Sequence, residues 1–376
     1  MQYAVDDLVR LARRDNNIIR PYLYVNPRQG KHIPSDPKDV MELCEALAEK
    51  VNQAYPDDLL YVIGFAETAT GVASAISSYL KNIIAYQNTT REYREDENYI
   101  YFTESHSHAK DQMLRSSGLE EIIRRVDRII FIDDEVTTGS TICKLIDVIK
   151  KNYGADTVRF SIVSVLNSMT PERLGDMKEA GIDCIYLASI PFEYKKEKIM
   201  DVPVREKYHH VAKQHSVKVA DEIEYDCDFD PRSVVKFSDY QKETILFSEQ
   251  VKERMRNKHY GKLLILGTEE FMYATLCVGK ALEDSGVADT VRVHSTTRSP
   301  IVASDNSDYP LKQRYQISSF YEPDRTTYIY NLDSYDAVMI LTDADEYQQG
   351  LGDLCSVLSD LGNHQIFFGK WKYREA

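Results

Sequence analysis

The chain has 376 residues, 43% of them hydrophobic and 28% charged, with a formal net charge of −14. That length favours two domains over one core. The acidic balance argues against a broad nucleic-acid surface, which depends on many Lys and Arg contacts to phosphates, and no run approaches the roughly 18 apolar residues of a membrane span.

The N-terminal stretch MQYAVDDLVRLARRDNN has no apolar core ending in a small-residue cleavage site. It reads as an amphipathic helix rather than a leader. LLYVIGF (Leu59 to Phe65) reads as a buried strand, Thr68 to Leu80 as a helix, and IIAY (Ile83 to Tyr86) as a second strand. The following Gln87 to Gln112 is long, charged and poor in helical period, which suits a lid or binding loop. Its partly alternating tyrosines allow a hairpin. RIIFI (Arg128 to Ile132) is a third strand and Ser140 to about Lys151 a helix. Val158 to Leu166, Pro171 to Ala180 and Cys184 to Ala188 continue as strand, helix and strand. Fully apolar strands alternating with helices predict an α/β fold with a parallel sheet covered on both faces. The pattern weakens from about Lys195 to Lys258 and resumes at LLILG (Leu263 to Gly267). The expected domains are therefore 1–200, a connector over 201–260, and a second, smaller α/β domain over 261–376.

The six cysteines, Cys44, Cys143, Cys184, Cys227, Cys277 and Cys355, form no CxxC pair and no zinc spacing. They read as free thiols of a reducing compartment, so the expected location is the cytoplasm.

The stretch RIIFIDDEVTTGSTICKLI carries the chemistry. A parallel strand that turns into a helix puts its loop at the carboxyl edge of the sheet, where ligands bind in open α/β folds. The helix N-terminus offers N–H groups and partial positive charge to a phosphate, and Gly139 lets the backbone close around it. Asp133 and Asp134 would repel that phosphate, so they face donors or a cation. Vicinal ribose hydroxyls and Mg²⁺ meet both needs.

Ile129 to Thr141, four apolar residues, Asp-Asp, then Thr-Gly-x-Thr, resembles the ribose-phosphate signature of type I phosphoribosyltransferases. GFAETATG (Gly64 to Gly71), NTTR (Asn88 to Arg91), HSHA (His106 to Ala109) and QGKHIP (Gln29 to Pro34) resemble the subgroup of that family associated with tellurium-resistance and stress gene clusters. Its members continue into a domain named for the tetrapeptide TRSP, present here at Thr297 to Pro300. The resemblance implies the type I phosphoribosyltransferase fold. It implies an enzyme that uses phosphoribosyl pyrophosphate and Mg²⁺ to form or cleave an N-glycosidic bond in a nucleotide-like metabolite. A non-catalytic nucleotide-binding regulator, or a scaffold in a biosynthetic complex, is the alternative, and a homodimer is compatible with either.

By the same resemblance, Asp133 and Asp134 hold the ribose hydroxyls directly or through water on Mg²⁺. Thr137, Thr138, Gly139, Ser140 and Thr141 cradle the 5-phosphate. Gly64, Phe65, Ala66, Glu67 and Thr68 form the pyrophosphate loop. That loop departs from the family by carrying Glu67 where a basic residue often stands, so Arg91, Lys31, Arg28 or Mg²⁺ must supply positive charge. Purine-specific relatives often carry an acid at the position of Thr137. Glu104, His106 or His108 would replace it as a base. His106 and His108 could also share a metal on one strand face, although no third ligand is evident.

The second half echoes the first. Gly64 and Glu67 match Gly267 and Glu270, NTTR matches STTR (Ser295 to Arg298), and VDRIIFIDDE matches YDAVMILTDADE. The C-terminal domain is thus expected to be a diverged copy that keeps Asp343 and Asp345, has lost the Thr-rich cradle, and offers Arg298 to an anion. A different strand order in the two sheets would end that idea.

Overall fold

A computed structural model describes residues 3–15, 17, 20–102, 112–155, 157–190, 199 and 219–374. By its contacts the chain divides into two compact units. Unit 1 is Met1–Val5, Met41–Glu193 and Phe229–Glu243; unit 2 is Asp6–Val40, Tyr194–Asp228 and Thr244–Ala376.

Asp6 to Val40 belong to unit 2. A helical turn at Val5–Leu8 is followed by an antiparallel pair, β1 (Arg10–Arg13) and β2 (Tyr22–Val25). The N-terminus was expected to be helical throughout. Cross-strand pairing instead buries Ala12 and Val25 with Ile301, Leu311 and Tyr330 of the same unit, and tertiary burial overrides helical period.

The helix Pro37–Ala54 leads into the unit 1 sheet. Its strands are β3 (Leu60–Gly64), β4 (Ile83–Asn88), β7 (Arg128–Val136), β8 (Arg159–Asn167) and β9 (Ile182–Ser189). A short antiparallel pair, β5 (Tyr99–Tyr101) and β6 (Met113–Arg115), lies between β4 and β7 in sequence; the hairpin expected within Gln87 to Gln112 thus has only its first strand there, the second beginning at Met113. The main sheet is parallel in the order β4-β3-β7-β8-β9. Tyr61, Val62 and Ile63 of β3 and Ile129 to Ile132 of β7 are fully buried, as strands covered on both faces must be. Arg128, at the start of β7, is held by Asp58 (2.7 Å), Asp183 (3.0 Å) and Ser161 (2.7 Å), with its guanidinium over the Tyr55 ring.

Unit 2 continues with β10 (Asp221–Cys227), β11 (Tyr260–Gly267), β12 (Ala288–Ser295), the antiparallel pair β13 (Arg314–Ser318) and β14 (Thr326–Tyr330), then β15 (Ala337–Thr342) and β16 (Ile366–Tyr373). Its sheet is also parallel, in the order β10-β16-β15-β11-β12. The expected connector does not hold as one piece. β10 is an edge strand of this sheet, Phe229–Glu243 counts with unit 1, and Phe237–Met255 is a helix.

Read from the other edge, β12-β11-β15-β16 repeats β4-β3-β7-β8 strand for strand. Only the fifth strand differs, β9 following β8 in sequence while β10 precedes β11. The expected shared strand order is present over four of the five strands.

Candidate phosphoribosyl site

β7 does not stop at the two aspartates. Its backbone stays paired with β8 through Asp133↔Ser164, Glu135↔Leu166 and Val136↔Asn167. The pleat therefore turns Asp133 and Glu135 to one face and Asp134 to the other. A cavity of about 120 Å³ at this edge is lined by Asp133, Glu135 and Val136, by the Thr137–Ile142 loop, and by Phe65 and Gln112. Asp134 is not among the residues that line it. The neighbouring-acid pair expected to face the ligand is thus split, and Glu135 was missed.

Beyond Val136 the chain must turn sharply. Gly139 has φ +66° and precedes the helix Ser140–Tyr153. A Cβ there would stand 2.8 Å from Met177 Cε, so both conformation and space favour glycine. The helix has no acid in its first turn, no side-chain cap at Gly139, and Lys150 and Lys151 in its last turn. Its N-terminal N–H groups and dipole are therefore directed at the loop without an intramolecular carboxylate to absorb them. The Thr138 hydroxyl accepts from Ser140 N (3.3 Å), and Arg173 Nε donates to Thr138 O (2.8 Å). Arg173 is a contributor that sequence reasoning passed over. It sits on the helix Pro171–Glu179, capped by Thr170, and adds positive charge behind the loop.

The loop after β3 lies at the same edge. Phe65 N donates to Ile132 O (2.9 Å), Thr89 N to Gly64 O (2.8 Å), and Ala66 N to Thr89 Oγ1 (2.8 Å). A Cβ on Gly64 would meet Ala73, Tyr86 and Asn88 atoms at 2.7 Å. The Ala66–Glu67 peptide is cis, and Gln112 Nε2 donates to Ala66 O at 2.5 Å. The helix Ala69–Ser77 begins after Thr68, again with no acid in its first turn. Phe65 borders the cavity, but its ring packs edge-on against Phe102 and Phe131. Arg91 is partly buried just past the end of β4.

The electrostatics of the cavity are unbalanced. Asp133 is partly buried; loss of solvent, then the Asp134 charge and a hydrogen bond with it, push its pKa well above the ordinary carboxylate range. Asp134 N donates to Asp133 Oδ1 (2.9 Å) and opposes this only in part. A larger hollow of about 360 Å³ elsewhere in unit 1 is lined by Ile83, Ile122 and Val235 among others, with Glu121, Arg125 and Lys236 as its charged groups.

Three of the expected cations, Lys31, Arg298 and Arg28, count with unit 2. Lys31 belongs to unit 2, fully buried, with Nζ donating to Glu269 O (2.6 Å) and Thr296 O (2.9 Å). Arg298, also in unit 2, pairs with Glu269 (2.7 Å) and Glu270 (3.5 Å), so the anion it meets is the protein's own. Arg28, in unit 2 as well, lies 3.9 Å from Asp39. Glu104, His106 and His108 lie outside the described residues. All six cysteines are free thiols, and among the described residues no helix is long and apolar enough to cross a membrane.

A family described as phosphoribosyl transferase matches residues 8–189, and the family described as the TRSP domain C-terminal to it matches residues 238–358. The chain belongs to the phosphoribosyl transferase family with a C-terminal TRSP domain. The boundaries of the transferase match do not follow the compact units, since residues 8–40 count with unit 2, alongside the TRSP domain. No curated protein matches the chain. Among solved structures, a hypoxanthine phosphoribosyltransferase from Staphylococcus aureus is similar at 17% identity over 44% of this chain and 80% of that one, with a TM-score of 0.27. Adenine phosphoribosyltransferases from Rhodothermus marinus (12%, 50% and 96%, 0.34) and Trypanosoma brucei (11%, 50% and 83%, 0.33) are similar too.

Proposed function

We propose that unit 1 of this transferase-family chain moves a 5-phosphoribosyl group between pyrophosphate and a nitrogen of a nucleotide-like metabolite. The observation that carries the proposal is one cavity with two chemically opposite walls. An uncapped, acid-free helix N-terminus forms one wall, and Asp133 with Glu135 forms the other. A ribose 5-phosphate has the same polarity, an anion at one end and vicinal hydroxyls at the other. The Thr137–Thr141 loop would hold the phosphate by backbone N–H groups and hydroxyls, and Asp133 and Glu135 would accept from the diol.

Leaving of pyrophosphate develops positive charge on the ribose ring, as in glycoside cleavage. The carboxylates on the β7 edge lie on the wall where that charge would form, so they favour the transition state over the ground state. The β3 loop, Gly64 to Thr68, would take the leaving pyrophosphate on its backbone and on the N-terminus of the Ala69–Ser77 helix. The donor set suits Mg²⁺, which is commonly held by one or two carboxylates with substrate phosphate and water completing its shell. Among the described residues no group of three or more His, Cys, Asp or Glu is arranged to hold an ion alone, so substrate oxygens would be needed. Asp133 and Glu135 would hold the ion, whose charge would offset the burial and the Asp134 charge that raise the Asp133 pKa. When bound it would supply positive charge to the pyrophosphate.

One observation favours the second reading, a binder that regulates without transfer. No Lys or Arg is among the described residues lining the cavity, and a departing pyrophosphate needs cations. Pyrophosphate release from phosphoribosyl pyrophosphate with Mg²⁺ and a panel of nitrogenous bases separates the two. Release that depends on one base supports transfer. Tight binding with no release from any base supports the regulator.

A further inference from the structure

The two units share more than strand order. In unit 1, Thr89 N donates to Gly64 O and Ala66 N to Thr89 Oγ1; in unit 2, Thr296 N donates to Gly267 O (3.1 Å) and Glu269 N to Thr296 Oγ1 (3.0 Å). Thr90 exchanges both backbone hydrogen bonds with Met113 of β6, and Thr297 exchanges both with Tyr328 of β14. Tyr86 of β4 bridges Val235, two residues before the helix Phe237–Met255. Val293 of β12 bridges Ser35, two residues before the helix Pro37–Ala54. Each bridge stays within one unit, yet each leader segment precedes a helix whose residues count mostly with the other unit. These correspondences set Gly267 against Gly64, Glu269 against Ala66, and Arg298 against Arg91.

At the position of Ala66, then, unit 2 carries a carboxylate. Glu269 is fully buried and has φ +44°, a conformation that is rare outside glycine. Its Oε2 accepts from Arg298 Nε (2.7 Å) and Arg325 Nη2 (2.8 Å), and its Oε1 from Ser319 Oγ (2.6 Å). Two guanidiniums and a hydroxyl converging on one anion is the donor set of a phosphate site. The acids at the end of β15 are likewise engaged. Asp343 accepts from the hydroxyls of Tyr321 and Tyr373, and Asp345 pairs with Lys370 at 3.0 Å.

We propose that unit 2 is a second copy of the unit 1 architecture whose anion site is filled in cis by the Glu269 carboxylate, and that without this carboxylate the site takes inorganic phosphate or pyrophosphate. Unit 2 supplies every one of these groups, whatever unit 1 catalyses.

The test uses the full chain and amide hydrogen exchange read at residues 296–298 and 319–325, with inorganic phosphate and then pyrophosphate as probes. In the wild type neither probe changes exchange in those segments. In Glu269→Ala the segments exchange faster, and phosphate or pyrophosphate restores protection by about tenfold or more, as a ligand bound only to the closed site would. Adding Arg325→Ala to that variant removes the response. If Glu269→Ala does not fold, Glu269→Gly, which suits the φ of +44° and also empties the site, is expected to respond in the same direction. A folded variant with no response to either anion, or a wild type that responds in the same segments, overturns the proposal. Anion protection at residues 137–143 reports on the unit 1 site alone, so the two readings fail separately.

Discussion

The glycines at the two ends of the Ser140–Tyr153 helix offer a matched perturbation. Gly139 precedes it at φ +66° and Gly154 follows it at φ +62°. Alanine in left-handed backbone costs about 1–2 kcal/mol, so Gly139→Ala and Gly154→Ala should each lose roughly that much stability. Their surroundings differ. Nothing lies within 4 Å of a Cβ at Gly154, whereas one at Gly139 would press on Met177 Cε at 2.8 Å. A thioether end can move aside, so Gly139→Ala should fall at the upper end of the range rather than unfold the chain. Binding should separate the pair. A shift of the turn at Gly139 misaligns the helix N–H groups meant for phosphate, and one or two hydrogen bonds to a charged group are worth about 1–3 kcal/mol. That corresponds to roughly a 5- to 150-fold loss of affinity for ribose 5-phosphate. Gly154→Ala should leave affinity unchanged. Urea titration and calorimetry measure the two quantities. Equal affinities in the two variants, with equal stabilities, would refute the assignment of the Gly139 turn to phosphate.

Three further outcomes are expected. Asp133 has a folded-state pKa raised by burial and by Asp134, so its ionisation costs stability as pH rises from the unfolded value of about 3.9 through the folded one. Asp133→Asn should therefore be more stable than wild type near about pH 7, lose that advantage below about pH 4, and lose transfer activity; urea titrations at both pH values check the sign. Thr138→Val should weaken ribose 5-phosphate binding by about 1–3 kcal/mol, the range for a hydrogen bond to a charged group, without changing the melting temperature by more than a few degrees. Arg128→Ala strips a buried cation from Asp58, Asp183 and the Tyr55 ring and should cost about 3–5 kcal/mol; a denaturation midpoint equal to wild type would contradict the anchoring role.

Much of unit 1 was legible because its strands are buried on both faces. LYVI and IIFI are continuous apolar runs, and such runs mark parallel strands directly. The end of β7 was not legible. Its apolar run stops at Ile132, but main-chain pairing with β8 carries the strand on to Val136, and composition does not report backbone pairing. That extension decides which acids share a face, and so why Glu135 rather than Asp134 lines the cavity. β10 was hidden by its own sequence, since DEIEYDC puts charge on every exposed position of an edge strand. Ser35 and Val235 show a different barrier. Each sits two residues before a helix whose pattern is readable, yet pairing with β12 or β4 is a long-range choice that no local signal encodes. The echoed motifs GFAE/GTEE, NTTR/STTR and VDRIIFIDDE/YDAVMILTDADE were the trace of the shared architecture, and the matching hydrogen bonds of the first two give it a physical form.

The central claim is that the turn from Asp133 to Thr141 holds ribose 5-phosphate by both ends. A crystal of the full chain soaked with ribose 5-phosphate and Mg²⁺ tests it most directly. The phosphate is expected against the N–H groups of Thr137 to Thr141, with the ribose diol within hydrogen-bond distance of Asp133 and Glu135. A sugar phosphate bound elsewhere, with this turn empty, would contradict the account.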